Sequence, residues 1–119
     1  LSELCRLLGC RFTYLSEMGG FVPLHDENME TSVPGLYVAG DLTGVEEAST
    51  AMEEGRLAGV AAAVSLGYLD SATAESMKEE IRTRLTNLRS GPFGEGRNMA
   101  KKRIIERYQG ICPQVGREA

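Results

Sequence analysis

The stretch Thr31-Ser32-Val33-Pro34-Gly35-Leu36-Tyr37-Val38-Ala39-Gly40-Asp41 decides how this chain is read. Residues 36–39 are wholly apolar, with Pro34-Gly35 before them and Gly40 after them. A short apolar run between such breakers predicts a strand buried on both faces, as in a parallel sheet. Pro34 has no N–H to give a central ladder, so it belongs just before that strand. Gly40 permits a sharp turn or the close approach of a ligand. Asp41 then falls at the carboxyl end of the strand, where open α/β sheets place their ligands.

Leu42-Thr43-Gly44-Val45 leads from there into a predicted helix that ends near Leu66, with Gly67 as its stop. Ala48, Ala51, Met52, Gly55, Ala58, Gly59 and Ala62 recur on it at three- and four-residue spacing, whereas Glu46, Glu47, Glu53, Glu54 and Arg56 are polar. A glycine inside a helix costs roughly 1 kcal/mol relative to alanine. Gly55 and Gly59 therefore predict close packing against another backbone or a flat cofactor. The free amides at the helix start, residues 44–47, offer a site for anionic or carbonyl oxygens.

The eleven residues and the helix behind them closely resemble the second flavin-binding motif of FAD-dependent pyridine-nucleotide oxidoreductases of the glutathione/thioredoxin-reductase type. With Gly20-Phe21-Val22-Pro23 and Asp26 upstream, the chain looks most like the FAD/NAD-binding subunits of sarcosine oxidase, hydrogen cyanide synthase and opine or amino-acid dehydrogenases. The likeness covers about residues 3–68 well, and the tail more loosely. It implies a Rossmann-like FAD/NAD(P)-binding domain, with Gly40, Asp41, Gly44, Glu47 and Ala48 as cofactor-binding positions. Asp41 would accept a hydrogen bond from a ribityl hydroxyl of FAD; a carboxylate suits a hydroxyl and repels a phosphate. The amides near Glu47 and Ala48 would face the pyrimidine edge of the flavin, where a helix start stabilises negative charge. Seen without the motif, Asp41 reads as a residue that merely caps its turn.

A chain of 119 residues with a net charge of −4 allows one small domain and does not favour nucleic acid as a partner. No apolar run approaches the ~20 residues needed to cross a bilayer. The chain opens Leu1-Ser2-Glu3 with no Met and no basic leader, and is expected to be a fragment of a longer, cytoplasmic protein. No Gly-x-Gly-x-x-Gly turn follows a strand to hold a pyrophosphate; Gly91-Pro92-Phe93-Gly94-Glu95-Gly96 has the wrong spacing, and phosphate binding there is the lesser reading. The expectation is thus one lobe of a cofactor site, with FAD and NAD(P) bound by the parent and neither held tightly by the fragment.

Elsewhere the residues carry little chemistry. Leu4, Leu7 and Leu8 lie opposite Glu3 and Arg6, as in the last turns of an amphipathic helix ending at Gly9. Residues 10–15 and 21–24 read as short extended pieces, Pro23 placing the second at an edge or an end. Tyr14 reads as a half-buried strand tyrosine before it reads as a substrate contact. His25, the single histidine, reads as a solvent-facing loop residue, because no positioned partner is evident for acid–base work. Asp70 or Ser71 caps a helix with Met77, Ile81, Leu85 and Leu88 on one face. Met99, Ile104, Ile105 and Tyr108 mark a last short helix, stopped by Gly110 and Pro113, on which Lys101, Lys102 and Arg103 read as a solvated cluster. Cys5, Cys10 and Cys112 lack metal or redox spacing and are expected to be free thiols. Cys112 stands about where some members of the family begin an iron–sulfur module; a single cysteine holds no cluster.

The fold class expected is therefore α/β: residues 1–68 as the end of an FAD-binding domain, with short strands and a long small-residue helix, and residues 69–119 as a helical extension. No catalytic or metal-ligating residue is assigned. The partner expected is the remainder of the parent flavoenzyme, with no membrane involved, and homo-oligomers are expected of the isolated, inactive fragment because its strand and helix faces need cover. The competing reading is a non-catalytic interaction or oligomerisation piece with no cofactor.

Overall fold

A computed structural model describes residues 2–92 and 94–111; Cys112 and Pro113 lie outside the described residues. Helix α1 (Glu3–Leu7) leads through Gly9, at φ +85, into an antiparallel hairpin of β1 (Phe12–Leu15) and β2 (Gly20–Pro23). Phe12 pairs with Pro23 and Leu15 with Gly20, so the proline sits at a strand end, where its missing N–H is harmless. A 3-10 turn at Ser16–Met18 joins the strands. Side chains alternate across the hairpin. Leu15 and Val22 are buried, while Tyr14 and Phe21 face out and meet edge to face with centroids 5.2 Å apart. Tyr14 is thus an exposed strand residue, not a half-buried one.

The run 36–39 is not the interior strand its composition predicts. It touches the rest of the backbone through an isolated bridge from Tyr37 to Glu30, and Val38 alone of the four is buried. Parallel pairing needs a crossover to a neighbour, and no parallel neighbour occurs among the described residues. Residues 25–31 instead fold back on the run: Val38 N donates to Met29 O at 3.0 Å and Thr31 N to Leu36 O at 2.8 Å. Asp26 Oδ1 makes that fold tight by accepting from the amides of Asn28 and Glu30. What stands is a mixed α/β chain, mostly helical, with one two-stranded sheet.

Three long helices follow: α2 (Ala48–Ser65), α3 (Ser71–Leu88) and α4 (Glu95–Ile111). Asp70 starts α3 by accepting from Thr73 N at 2.9 Å and from the Thr73 hydroxyl at 2.8 Å, as its residue type leads one to expect. Leu57 and Val60 of α2 pack with Ala74, Ile81 and Leu85 of α3. Ala100, Ile104 and Tyr108 of α4 pack on Leu15, Met18, Val22 and Leu24 of the hairpin segment. These two cores are therefore shared between residues before and after position 68, while a third, of Cys5, Cys10 and Val38, lies wholly before it. Gly110 lies inside α4, which is 17 residues long, whereas the sequence predicts a short helix stopped there.

Two predicted faces come out reversed. On α1, Cys5 is buried while Leu4, Leu7 and Leu8 are exposed, Leu7 at 83%. On α2, Gly55 and Gly59 are exposed, and a Cβ built on either would meet nothing within 4 Å. Thr50, Glu53, Glu54, Leu57, Val60 and Ala61 face inward instead. The two glycines thus pack against no other backbone among the described residues, whereas Ala51 lies against Gly40 and Ala58 against the α2–α3 core.

Candidate functional site

The residues singled out by the motif lie on a 3-10 turn, Gly40–Thr43, and on the start of α2. Ala39 enters the turn fully extended, and Gly40 reverses the chain at φ +81, a conformation that favours glycine. Gly44 leaves it at φ +115, buried, and a Cβ there would run into the Met18 side chain. The hairpin turn thus sets how closely residues 40–44 pack.

The outer side of the turn is open. Asp41 is exposed, and among the described residues its carboxylate makes no hydrogen bond or ion pair. It does not cap the turn, whose N-cap position is filled by Ala39 without a side-chain bond. Glu47 and Ala48 are also exposed, Glu47 at the N-cap of α2 and Ala48 as its first residue. No side chain caps α2, so its first-turn amides keep the donor capacity and partial positive charge of a free helix start.

The inner side is filled by charge. Glu54 Oε1 accepts from Gly40 N at 3.0 Å and lies 3.1 Å from the Thr43 hydroxyl. Glu54 Oε2 meets Arg89 at 2.8 Å and Lys101 Nζ at 2.9 Å. Lys101 Nζ also donates to Thr43 O at 2.8 Å and to Thr43 Oγ1 at 2.7 Å. Arg89 forks onto both oxygens of Glu46, Nε to Oε2 at 3.0 Å and an Nη to Oε1 at 2.9 Å. Burial works against the charge on Glu54, yet Lys101, Arg89 and the Gly40 amide outweigh it and hold the carboxyl below the usual range. Burial likewise opposes the Arg89 charge and is outweighed by Glu46 and Glu54. Two carboxylates face two cations, so the cluster is close to neutral.

Several sequence expectations change here. Gly40 is near the site, but its amide is turned inward to Glu54 and is not offered to a ligand. Lys101 is 4% exposed and is no part of a solvated cluster. His25 is 2% exposed, not solvent-facing. Its Nδ1 lies 2.8 Å from Asp26 O, which only accepts, so the neutral ring carries its hydrogen on Nδ1; Nε2 has no partner. Burial, helped by Lys101, lowers its pKa from 6.5 to about 4. His25 lines a cavity of about 300 Å³ together with Glu54, Leu57, Arg89 and Lys101. The glycine-rich loop after α3 borders a cleft of mixed charge, lined by Glu46 and Glu47 and by Arg89 and Arg97. Cys5 and Cys10 are free and buried. Among the described residues no group of three or more His, Cys, Asp or Glu side chains is placed to hold a metal, and no helix is long and apolar enough to cross a membrane.

Glu54, Arg89 and Lys101 escape a reading of the sequence because charged residues on helices read as solvated. A signal exists nonetheless. Glu54 is in register with Thr50, Leu57 and Ala61, and Lys101 with Ile104 and Tyr108, so each lies within an apolar stripe and not opposite it.

The chain is similar to three relatives, each named as a subunit of opine oxidase. That of Rhizobium meliloti (strain 1021) is 42% identical over 66 residues, 56% of this chain and 14% of the relative. That of Agrobacterium tumefaciens (strain Ach5) is 33% identical over 75 residues, 63% of this chain and 15% of the relative. Another from Rhizobium meliloti is 38% identical over 78 residues, 65% of this chain and 15% of the relative. The chain thus spans about one seventh of the relatives it matches. No family model and no solved structure matches it.

Proposed function

We propose that this chain is part of an FAD-dependent oxidoreductase and supplies the second flavin-binding motif of a Rossmann-like domain. The observation that carries the reading is an unpartnered, exposed Asp41 carboxylate beside the uncapped start of α2, on a turn braced from behind. Those donors and acceptors fit a polyhydroxylated, electron-accepting ring cofactor. Asp41 accepts from a sugar-chain hydroxyl, and the α2 amides donate to a ring edge and stabilise negative charge there. A bound flavin supplies the hydride and electron chemistry; the residues here bind and orient it. Asp41 and Glu47 would repel a pyrophosphate, which needs a glycine-rich turn in another part of the protein.

The likeness to proteins named for opine oxidase supports the oxidoreductase reading. On that reading the flavin takes its hydride from an amine or amino acid and passes electrons to a nicotinamide or to a companion protein. The exposed Leu4, Leu7 and Leu8 and the open Gly55–Gly59 face also suit a chain covered by further protein. That observation alone would serve the second reading, an interaction piece with no cofactor. Purifying the longer protein that contains this chain separates them. Bound flavin, seen as a yellow colour and absorbance near that of free FAD, is the expected result, with no appreciable FAD binding by the 119-residue chain alone. A colourless longer protein that takes up no FAD would end the flavin reading.

A further inference from the structure

We infer that Glu54, Arg89 and Lys101 are positioning residues for the cofactor-facing turn, so that the last two helices fix the flavin side of the molecule without touching it. The inference rests on the functional reading above and adds a role for residues that the motif does not include.

Lysine has three N–H donors, and all three of Lys101 are committed: Thr43 O, Thr43 Oγ1 and Glu54 Oε2. Two of them go to one residue, the last of the turn that carries Asp41. Glu54 takes the amide of the first residue, Gly40. Both ends of a four-residue turn are thus held from inside, one from α2 and one from α4. Arg89, at the end of α3, bridges Glu54 to Glu46, which immediately precedes the Glu47 that opens α2. One network therefore reaches the two features that face the cofactor. Because the network is neutral and its donors are engaged inward, it has no charge left over for a ligand.

Mere cohesion does not need this arrangement. Well-packed apolar side chains hold helices together as well as a buried ion pair, and often better. Apolar groups have no direction to give a peptide amide or carbonyl, whereas Glu54 and Lys101 set the orientation of the Gly40 and Thr43 peptides that flank Asp41. Sequence separation fits the same role: Lys101 lies 58 residues beyond Thr43, so the turn reaches its final geometry only when α4 has docked.

The test uses the longer, FAD-loaded protein. Lys101→Met is expected to raise the FAD dissociation constant at least tenfold and to move the flavin's midpoint potential and visible spectrum. Ile104→Ala, on the same helix and fully buried, removes packing without a hydrogen bond; it is expected to lower the melting temperature while keeping the potential and spectrum. Thr43→Val keeps the shape and removes one Lys101 acceptor, and is expected to weaken FAD several-fold, with Thr43→Ser restoring it. Wild-type FAD affinity and potential in Lys101→Met or Thr43→Val would overturn the inference, as would equal loss in Ile104→Ala. If Lys101→Met does not fold, the Thr43 pair decides. A wild-type protein that binds no flavin would instead overturn the functional reading itself, which separates the two failures.

Discussion

Histidine 25 should make this chain sensitive to mild acid. Its ring is buried against the cation side of the Glu54–Lys101 cluster, with Nδ1–H bonded to Asp26 O and Nε2 unpartnered. Burial first, then Lys101 and Arg89, disfavour a second proton, while the Asp26 carbonyl and Glu54 favour one; the balance lies at about 4 instead of 6.5. The unfolded chain therefore binds a proton on this ring between pH 6.5 and about 4, and the folded chain does not. Stability from this group is complete above pH 6.5 and is lost as pH falls through that window. At 1.36 kcal/mol per pH unit the loss between pH 7 and 4.5 is on the order of 2–3 kcal/mol. Urea unfolding of the wild type and of His25→Leu at the two pH values measures it. Asp26, its carboxyl raised by burial, and Glu54, its carboxyl held low by Lys101 and Arg89, are present in both proteins, so their own linkage largely drops out of the difference. The wild type should lose roughly 2–3 kcal/mol more than His25→Leu; parallel losses would show that the ring is reached by water and carries no such linkage.

Three further substitutions probe the local geometry. Gly44→Ala should cost roughly 1–3 kcal/mol, because φ +115 is strained for alanine and its Cβ meets Met18; an unaltered melting temperature would show that the hairpin turn does not set the packing of residues 40–44. Asp70→Ala should lower stability by about 1 kcal/mol through loss of the α3 cap, with Asp70→Ser largely retaining it. Gly59→Leu should hold or raise the melting temperature of the 119-residue chain, since the site is open and glycine costs roughly 1 kcal/mol in a helix. The same change should destabilise the longer protein by about 1–3 kcal/mol if that face is covered there; equal behaviour in both would show that the face looks at solvent throughout.

Local signals are legible in the sequence. The Asp70 cap, the two short extended pieces with Pro23 at a strand end, the glycine before α2 and the extents of α2 and α3 all follow from residue types that act over a few positions. Non-local pairing is not. Residues 36–39 have the composition of an interior strand, yet composition does not supply the parallel partner, and the chain before them folds back on the run instead. Periodicity on α2 finds a stripe of small residues but cannot say which stripe this chain covers, because a glycine face is read by its eventual neighbour. His25 and Lys101 read as solvated for want of a visible partner; their environment is made by residues from five separate segments, 25–31, 40–43, α2, the end of α3 and α4. The candidate site is legible as a motif, while its support from α3 and α4 is not.

The central claim is that Asp41 and the start of α2 form one wall of a flavin site. Titrating FAD into the apo form of the longer protein, wild type against Asp41→Ala, tests it most directly. Loss of one charge-assisted hydrogen bond is worth roughly 1.5–3 kcal/mol, so the dissociation constant of Asp41→Ala should rise about tenfold to a hundredfold while its melting temperature without FAD stays unchanged, the carboxylate being exposed and unpartnered. An Asp41→Ala protein that binds FAD as tightly as the wild type would contradict the account.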